Sequence, residues 1–451
     1  MTLRFGTDGV RGAAYTELTT AFATAVGRAA ARVLTGGSLS GDNLTSHRFV
    51  IGRDTRESGP DLEAAVAAGM VAEGCSVERL GVVPTPTVAW AGAADGVPGA
   101  VISASHNPYT DNGIKLFAAG GRKLDDDAET LLEAEVDRIG AAPDSSPTGS
   151  GAGEVVIVDR TADYVRAVAD SIEGRRLAGL RVIVDCAHGS ASGIAPGALA
   201  DLGAEVESIH DAPDGTNINA DSGSTHPGAL QRRVVAAGAD VGLAFDGDAD
   251  RVLAVTSDGH LIDGDHLIAM AALDRRDRSL LTHDTVVVTV MTNLGFRLSM
   301  ADRDIGVVET PVGDRYVLAA LERGGYSLGG EQSGHVIYRD LATTGDGLLT
   351  SVQTLDLMVR SGRSLAALAE ASMRSLPQVL HNLATSIDAA SVIESIGVEI
   401  AQAQADLGDR GRVLVRPSGT EPLVRVMVEA ETAEVAESVA SRLIAAAAAV
   451  S

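Results

Sequence analysis

A chain of 451 residues with 45% hydrophobic content can bury several cores, which excludes a disordered protein and points to about three or four domains. Its 61 acidic residues against 36 basic ones leave a formal charge of −25, a field that repels nucleic acid and anionic membrane surfaces. Only 3% of residues are aromatic, so platforms for stacking bases are few, and the expected partner is a small molecule gripped locally.

Short β-branched runs alternate with Ala-rich helical stretches, the pattern of α/β domains. "RFVIG" (48–52) reads as a strand and "PDLEAAVAAGMVAEG" (60–74) as the helix after it. Next, "VISASHNPYTDNGIKLF" (101–117) ends an apolar strand in Ser103, Ser105, His106 and Asn107, followed by a turn at Asp111-Asn112-Gly113. Open α/β sheets place ligands in such loops at strand C-termini. Turn chemistry alone also accounts for most of these residue types. "AAPDSSPTGSGAGE" (141–154) reads as a linker. Beyond it, "ADYVRAVADSI" (162–172) is a helix, and "LRVIVD" (180–185), "DVGLAF" (240–245) and "DTVVVTV" (284–290) are strands. "AVTSDGHLIDGD" (254–265) is a hairpin turning on Asp258-Gly259. The tail has two strands, "RVLVR" (412–416) and "LVRVMVEA" (423–430), and a helix from about Ala433. These breaks divide the chain into 1–155, 156–256, 257–374 and 375–451.

Two cysteines, Cys75 and Cys186, make no disulfide framework and suit a reducing compartment. No segment reaches about 18 consecutive apolar residues, and the opening "MTLRFGTDGVRG" lacks a signal-like run. A cytoplasmic protein without a membrane span is expected.

Three stretches carry chemistry. In "FDGDADR" (245–251) an apolar strand runs straight into Asp246, Asp248 and Asp250, spaced by small residues. Carboxylates forced together call for a divalent cation, and all-oxygen ligation favours Mg²⁺. A calcium EF-hand needs Gly at position six and Glu at position twelve, where Arg251 and Ser257 stand. "RPSGTEPLVR" (416–425) offers Arg416, Ser418, Gly419, Thr420 and Arg425, the parts of a phosphate cradle or equally of a Pro-Ser-Gly turn. "LGGEQSGHV" (328–336) sets Glu331, Ser333 and His335 in a glycine-rich loop that lacks a P-loop lysine and suits sugar hydroxyls. The chain has only two lysines, Lys115 and Lys123, and Lys115 lies in the Ser105 stretch.

Together with "FGTDGVRG", "NINADSGSTHP" (217–227) and "ETPVGDRYV" (309–317), these motifs resemble the α-D-phosphohexomutase superfamily. The likeness runs nearly end to end and is greatest to the bacterial branch acting on glucosamine phosphate. It implies a heart-shaped enzyme of three similar α/β domains and a smaller α+β C-terminal domain, each giving one loop to a central cleft. Ser105 would be a phosphoserine whose oxygen joins Asp246, Asp248 and Asp250 around one Mg²⁺. Lys115, Arg251 and Arg11 would assist transfer, with His106 and His335 as candidates for proton handling. Glu331 and Ser333 would hold sugar hydroxyls, and Arg416, Ser418, Gly419, Thr420 and Arg425 the phosphate that is not reacting. The implied reaction interconverts glucosamine 6-phosphate and glucosamine 1-phosphate through glucosamine 1,6-bisphosphate. It would feed synthesis of the UDP-linked N-acetyl sugar and of cell-wall precursors. The alternative within the superfamily is a glucose or mannose phosphate mutase. A homodimer is compatible with the sequence. Two other classes fit less well: an aspartyl-phosphate enzyme needs its motif near the first strand and a distant lysine, and a sugar-phosphate sensor needs neither Ser105 nor three aspartates.

Overall fold

The structure is a computed structural model and describes residues 3–6, 8–35, 47–141, 153–417 and 423–451. The chain forms two compact units, residues 1–290 with 306–370, and residues 291–305 with 371–451.

The first unit contains three sheets. The first runs Val10–Ala13, Asp111–Ala118, Gly99–Ile102, Arg48–Arg53, Ser76–Val82, Val155–Ile157, with Arg122–Lys123 on its second strand. Its inner strands pair in parallel, while Asp111–Ala118 returns antiparallel to Gly99–Ile102. Every residue of Gly99–Ile102 is buried, so this strand is a rigid base for the loop that follows it. The second sheet runs Leu261–Ile262, Val252–Thr256, Val241–Phe245, Arg181–Asp185, Glu205–Ile209. Val241–Phe245 is also buried throughout, and each large apolar side chain so placed contributes about 1.5–3 kcal/mol. The third sheet runs Gly306–Thr310, Thr285–Thr289, Leu328–Gly330, Val336–Tyr338.

The second unit is smaller. Strands Gln378–Ala384, Leu423–Glu429 and Arg412–Pro417 form an antiparallel sheet with Leu423–Glu429 in the middle. Helix Ala433–Ala448 covers it, burying Ala436, Val439, Ala440, Leu443 and Ala447 in one apolar core with Val424, Val426 and Val428. Helix Leu294–Ala301 belongs to this unit, its first N–H donating to Glu429 Oε2 at 3.0 Å.

The strands expected from β-branched runs lie where the sequence puts them, within a residue or two. Two expected breaks fall inside sheets. Val155–Ile157 extends the edge of the first sheet, pairing in parallel with Val77–Arg79, so that sheet continues past the linker. The Asp258-Gly259 hairpin keeps Leu261–Ile262 on the second sheet through an antiparallel pair with Val252–Thr256. Among the described residues no helix is long and apolar enough to cross a membrane.

Candidate active site

Two strand ends meet. Gly99–Ile102 leads to Ser105, and Val241–Phe245 leads to Asp246. Ser105 Oγ donates to Asp246 Oδ2 at 2.6 Å. Ser105 itself is fully buried, because the aspartate turn covers it.

The aspartate turn is tight because Ala249 adopts a left-handed conformation, φ 56°, and its N–H closes onto Asp246 O at 3.1 Å. A side chain at Gly247 would collide with Ser105 O, its Cβ only 2.6 Å away, so glycine is what lets the two loops approach. The ligand oxygens of Asp246, Asp248 and Asp250 then lie within 4.8 Å of one another, all buried.

Three buried carboxylates cannot all stay charged without help. Burial, then Asp250 and Asp248, push Asp246 well above the usual carboxylate range. Burial acts on Asp250 in the same sense, but Lys115, His335 and Arg251 outweigh it and hold that carboxyl well below the range. Lys115 donates to Asp248 Oδ2 at 2.7 Å, as does the Thr85 hydroxyl at 2.6 Å. Among the described residues, Asp248 Oδ1 and Asp250 Oδ1 are buried and accept no hydrogen bond. Two orphaned oxygens, a third carboxylate and a serine oxygen make a hard, all-oxygen donor set that fits Mg²⁺.

Basic groups surround this cluster. The Arg251 N–H donates to Asp246 Oδ1 at 3.2 Å, and its guanidinium lies 3.6 Å from Asp250. Arg11 pairs with Asp8, which also receives Lys115 at 3.0 Å. His106 Nδ1 lies 3.3 Å from Ser105 Oγ and 3.5 Å from Arg251 Nη1. Burial, then Arg251 and Arg11, lower its pKa to about 4, so the ring is neutral near pH 7.

Ser105 is held in a left-handed conformation, φ 51°, that a non-glycine residue adopts at a cost of about 1–3 kcal/mol. Of the groups that hold it, Arg56 and Asp54 lie outside the motifs read from the sequence. Arg56, fully buried, donates to Ser105 O at 2.8 Å and Asp111 O at 3.0 Å, and also to Pro108 O. Its Nε pairs with Asp54 at 2.8 Å, and Asp54 accepts from Ser103, whose Oγ accepts the Ser105 N–H. Asn219 adds a second donor to Ser105 O at 2.9 Å and one to Asn107 O at 3.0 Å. The signal for Arg56 was present: an Asp-x-Arg directly after the strand Arg48–Arg53, a position like that of Ser105 after its own strand.

The Glu331 loop lies in the same unit. Glu331 Oε1 accepts the Gly313 N–H at 3.0 Å, and Ser333 Oγ is buried with no partner among the described residues. His335 packs against the bare face of Gly345, where a Cβ would sit 2.4 Å from the ring. Its Nε2 accepts the Gly345 N–H at 3.0 Å, which leaves Nδ1 as the protonated nitrogen, 3.7 Å from Asp250 Oδ2. The ring is therefore occupied on both nitrogens by the protein, and Asp250 is what it faces.

In the second unit, Arg416 and Arg425 stand directly opposite each other across two antiparallel strands. Burial, then Arg425, hold the Arg416 pKa below the usual guanidinium value. Ser418, Gly419 and Thr420 lie outside the described residues.

The chain matches the phosphoglucomutase/phosphomannomutase family domain by domain: α/β/α domain I over residues 2–142, domain II over 162–259, domain III over 263–376 and the C-terminal domain over 368–446. It is similar to proteins named phosphoglucosamine mutase from Rhodococcus jostii, 51% identical over 97% of this chain and 98% of that one, and from Thermobifida fusca, 50% identical over 98% and 97%. Among solved structures it resembles a phosphoglucomutase/phosphomannomutase family protein from Burkholderia thailandensis, with TM-score 0.82, 26% identity and coverage of 98% and 97%. It shares the fold of Aspergillus fumigatus N-acetylphosphoglucosamine mutase in complex with GlcNAc-6P and magnesium, with TM-score 0.69, 18% identity and coverage of 99% and 95%.

Proposed function

Because the chain belongs to the phosphoglucosamine mutases of the phosphoglucomutase/phosphomannomutase family, in the α-D-phosphohexomutase superfamily, we propose that Ser105 is its phosphoryl carrier. The activity of the family is an intramolecular phosphoryl transfer, and this chain interconverts glucosamine 6-phosphate and glucosamine 1-phosphate. The observation that carries the site reading is Ser105 Oγ, 2.6 Å from Asp246 within the three-carboxylate cluster.

Asp246, Asp248 and Asp250, with an oxygen of phosphorylated Ser105, would hold one Mg²⁺. When bound, that ion supplies positive charge to the oxygens of the phosphoryl group in flight. The bond from phosphorus to Ser105 Oγ breaks as one forms to O1 of glucosamine 6-phosphate, giving the 1,6-bisphosphate. The O1 proton departs and Oγ gains one in its place. His106 is the neutral base nearest Oγ and carries that proton. Lys115, Arg251 and Arg11 keep positive charge beside the transferred group and hold the carboxylates apart. After the bisphosphate turns over, Ser105 takes back the 6-phosphoryl group and glucosamine 1-phosphate leaves.

Glu331 and the Ser333 hydroxyl bind sugar hydroxyls in both orientations. The Arg416–Arg425 pair, with Ser418, Gly419 and Thr420, binds the phosphate that is not reacting, a role supported by two basic residues in register on neighbouring strands beside that loop. His335 serves better as an orienter of Asp250 than as a proton carrier, given where its two nitrogens point. The reaction is cytoplasmic, a reading supported by the phosphorylated sugar substrates and by two unpaired, buried cysteines.

Competing hexoses differ at C2, so one contact to the amine sets the margin. A hydrogen bond to a charged group contributes about 1.5–3 kcal/mol, roughly ten- to a hundredfold in kcat/KM. Side by side, glucosamine 6-phosphate should exceed glucose and mannose 6-phosphates by that factor. Parity with either would overturn the glucosamine preference and leave the phosphohexomutase reading standing.

A further inference from the structure

Lys115 has a place in the reaction described above; the chain's only other lysine, Lys123, has none. It is nonetheless buried among charges, its side chain 10% exposed. Lys123 Nζ donates to Asp8 Oδ1 at 2.9 Å and to Asp314 Oδ2. From these two contacts a circuit of neighbouring groups can be traced. Asp8 Oδ2 meets Lys115 Nζ at 3.0 Å, and Lys115 meets Asp250 Oδ2 at 3.4 Å. Asp250 Oδ2 lies 3.7 Å from His335 Nδ1, and His335 Nε2 lies 3.6 Å from Asp314 Oδ2, which returns to Lys123. The six groups come from three sequence regions, around residues 8–123, 250 and 314–335.

The neighbour of Asp314 adds a second, independent link. The Gly313 N–H holds Glu331 Oε1, and the next residue sets its carboxylate beside the His335 ring, 3.6 Å from Nε2, so residues 313 and 314 border both the sugar-binding carboxylate and the histidine. Asp314 opens helix Asp314–Gly324, which gives its carboxylate a fixed origin. Lys123 ties that carboxylate to Asp8 and so to Lys115. A lysine suits this place because a compact ammonium can serve two carboxylates at once.

We propose that Lys123 and Asp314 are positioning residues: they fix the His335 and Glu331 loop against Lys115 and Asp250, and so set the geometry of phosphoryl transfer without touching the substrate. The proposal rests on the reading that Lys115, Asp250 and Glu331 belong to the active site. Neither residue was expected to have a role from the motifs.

Lys123→Met and Asp314→Asn test it, together with the double variant. Each single variant should lower kcat about ten- to a hundredfold, with KM within about threefold of wild type and Ser105 still phosphorylated. The double variant should lose no more than the worse single one, because the two residues act as one unit. A merely structural pair would instead lower the melting temperature and leave kcat of the folded enzyme unchanged, which would overturn the proposal. So would additive losses. Ratios to wild type are taken on whichever hexose phosphate wild type converts, so a wrong substrate does not disturb them. Nitrogen-15 spectra of histidine-labelled protein give a readout independent of turnover: the His335 ring signals must move in Asp314→Asn. Unmoved signals would overturn the positioning role even where activity falls, and wild-type protein inert on every hexose phosphate would overturn the functional reading instead. If a single variant fails to fold, the charge-balanced double variant supplies the same two readouts.

Discussion

Arg56→Lys isolates the clamp that holds Ser105. The guanidinium is fully buried and reaches four acceptors: Asp54 and the carbonyls of Ser105, Pro108 and Asp111. A lysine keeps the charge, and so avoids the roughly 3–5 kcal/mol cost of stranding a buried carboxylate, but one ammonium cannot span that fork. At least two hydrogen bonds from a charged donor are lost, each about 1.5–3 kcal/mol. That total of about 3–6 kcal/mol exceeds the strain of about 1–3 kcal/mol in the left-handed Ser105. Ser105 should therefore relax to an ordinary backbone conformation, carrying Oγ away from Asp246. If about 3 kcal/mol of the loss reaches the transition state, kcat falls by about a hundredfold. Because Arg56 has no exposed surface, KM for glucosamine 6-phosphate should stay within about threefold. The assay is steady-state turnover with the 1,6-bisphosphate present, alongside thermal unfolding to establish that the variant is folded. A folded Arg56→Lys enzyme with kcat within about threefold of wild type would refute the clamp.

The metal site predicts that Asp248→Asn lowers turnover by at least about a hundredfold, since Asp248 Oδ1 is one of the two orphaned buried carboxylate oxygens. Chelator should inactivate wild type and Mg²⁺ restore it, and full activity in metal-free buffer would contradict the assignment. A pH effect follows from Asp346, whose pKa burial raises from 3.8 to about 6 even though Tyr164 and backbone N–H groups donate to it. The native state thus holds a proton that the unfolded chain has released. The stability this contributes is full below the unfolded value and is lost as pH rises through about 6, at most about 3 kcal/mol. Asp346→Asn keeps an acceptor for Tyr164 and a good helix cap. Its melting temperature relative to wild type should rise between about pH 4 and pH 8, and a flat or falling difference would count against this account.

The chemistry-bearing loops were legible because each follows a strand whose apolar run stops abruptly. Asp246, Asp248 and Asp250 could be read as one site from their spacing alone, and Lys115 from the scarcity of lysine. What stayed hidden depends on contacts across long sequence distance. Arg56 and Asn219 meet the Ser105 carbonyl from 49 and 114 residues away, and Lys123 meets Asp314 from 191 residues away. Local propensity carries no record of such meetings. The burial of Ser105 is hidden for the same reason, because its cover comes from another sheet. His335 stands out in its glycine-rich loop, but which way its nitrogens point depends on Gly345, ten residues on, folding back to donate to the ring.

The phosphoryl carrier is the claim on which the rest depends, and a chase experiment addresses it directly. Wild-type enzyme is loaded with glucosamine 1,6-bisphosphate, freed of excess ligand, and its peptides are mapped by mass spectrometry before and after mixing with glucosamine 6-phosphate. The account predicts a phosphate on Ser105 that disappears on mixing and returns as the bisphosphate, with Ser105→Ala protein accepting none. A phosphate found on another residue, or one on Ser105 that substrate fails to remove within the turnover time, would contradict it.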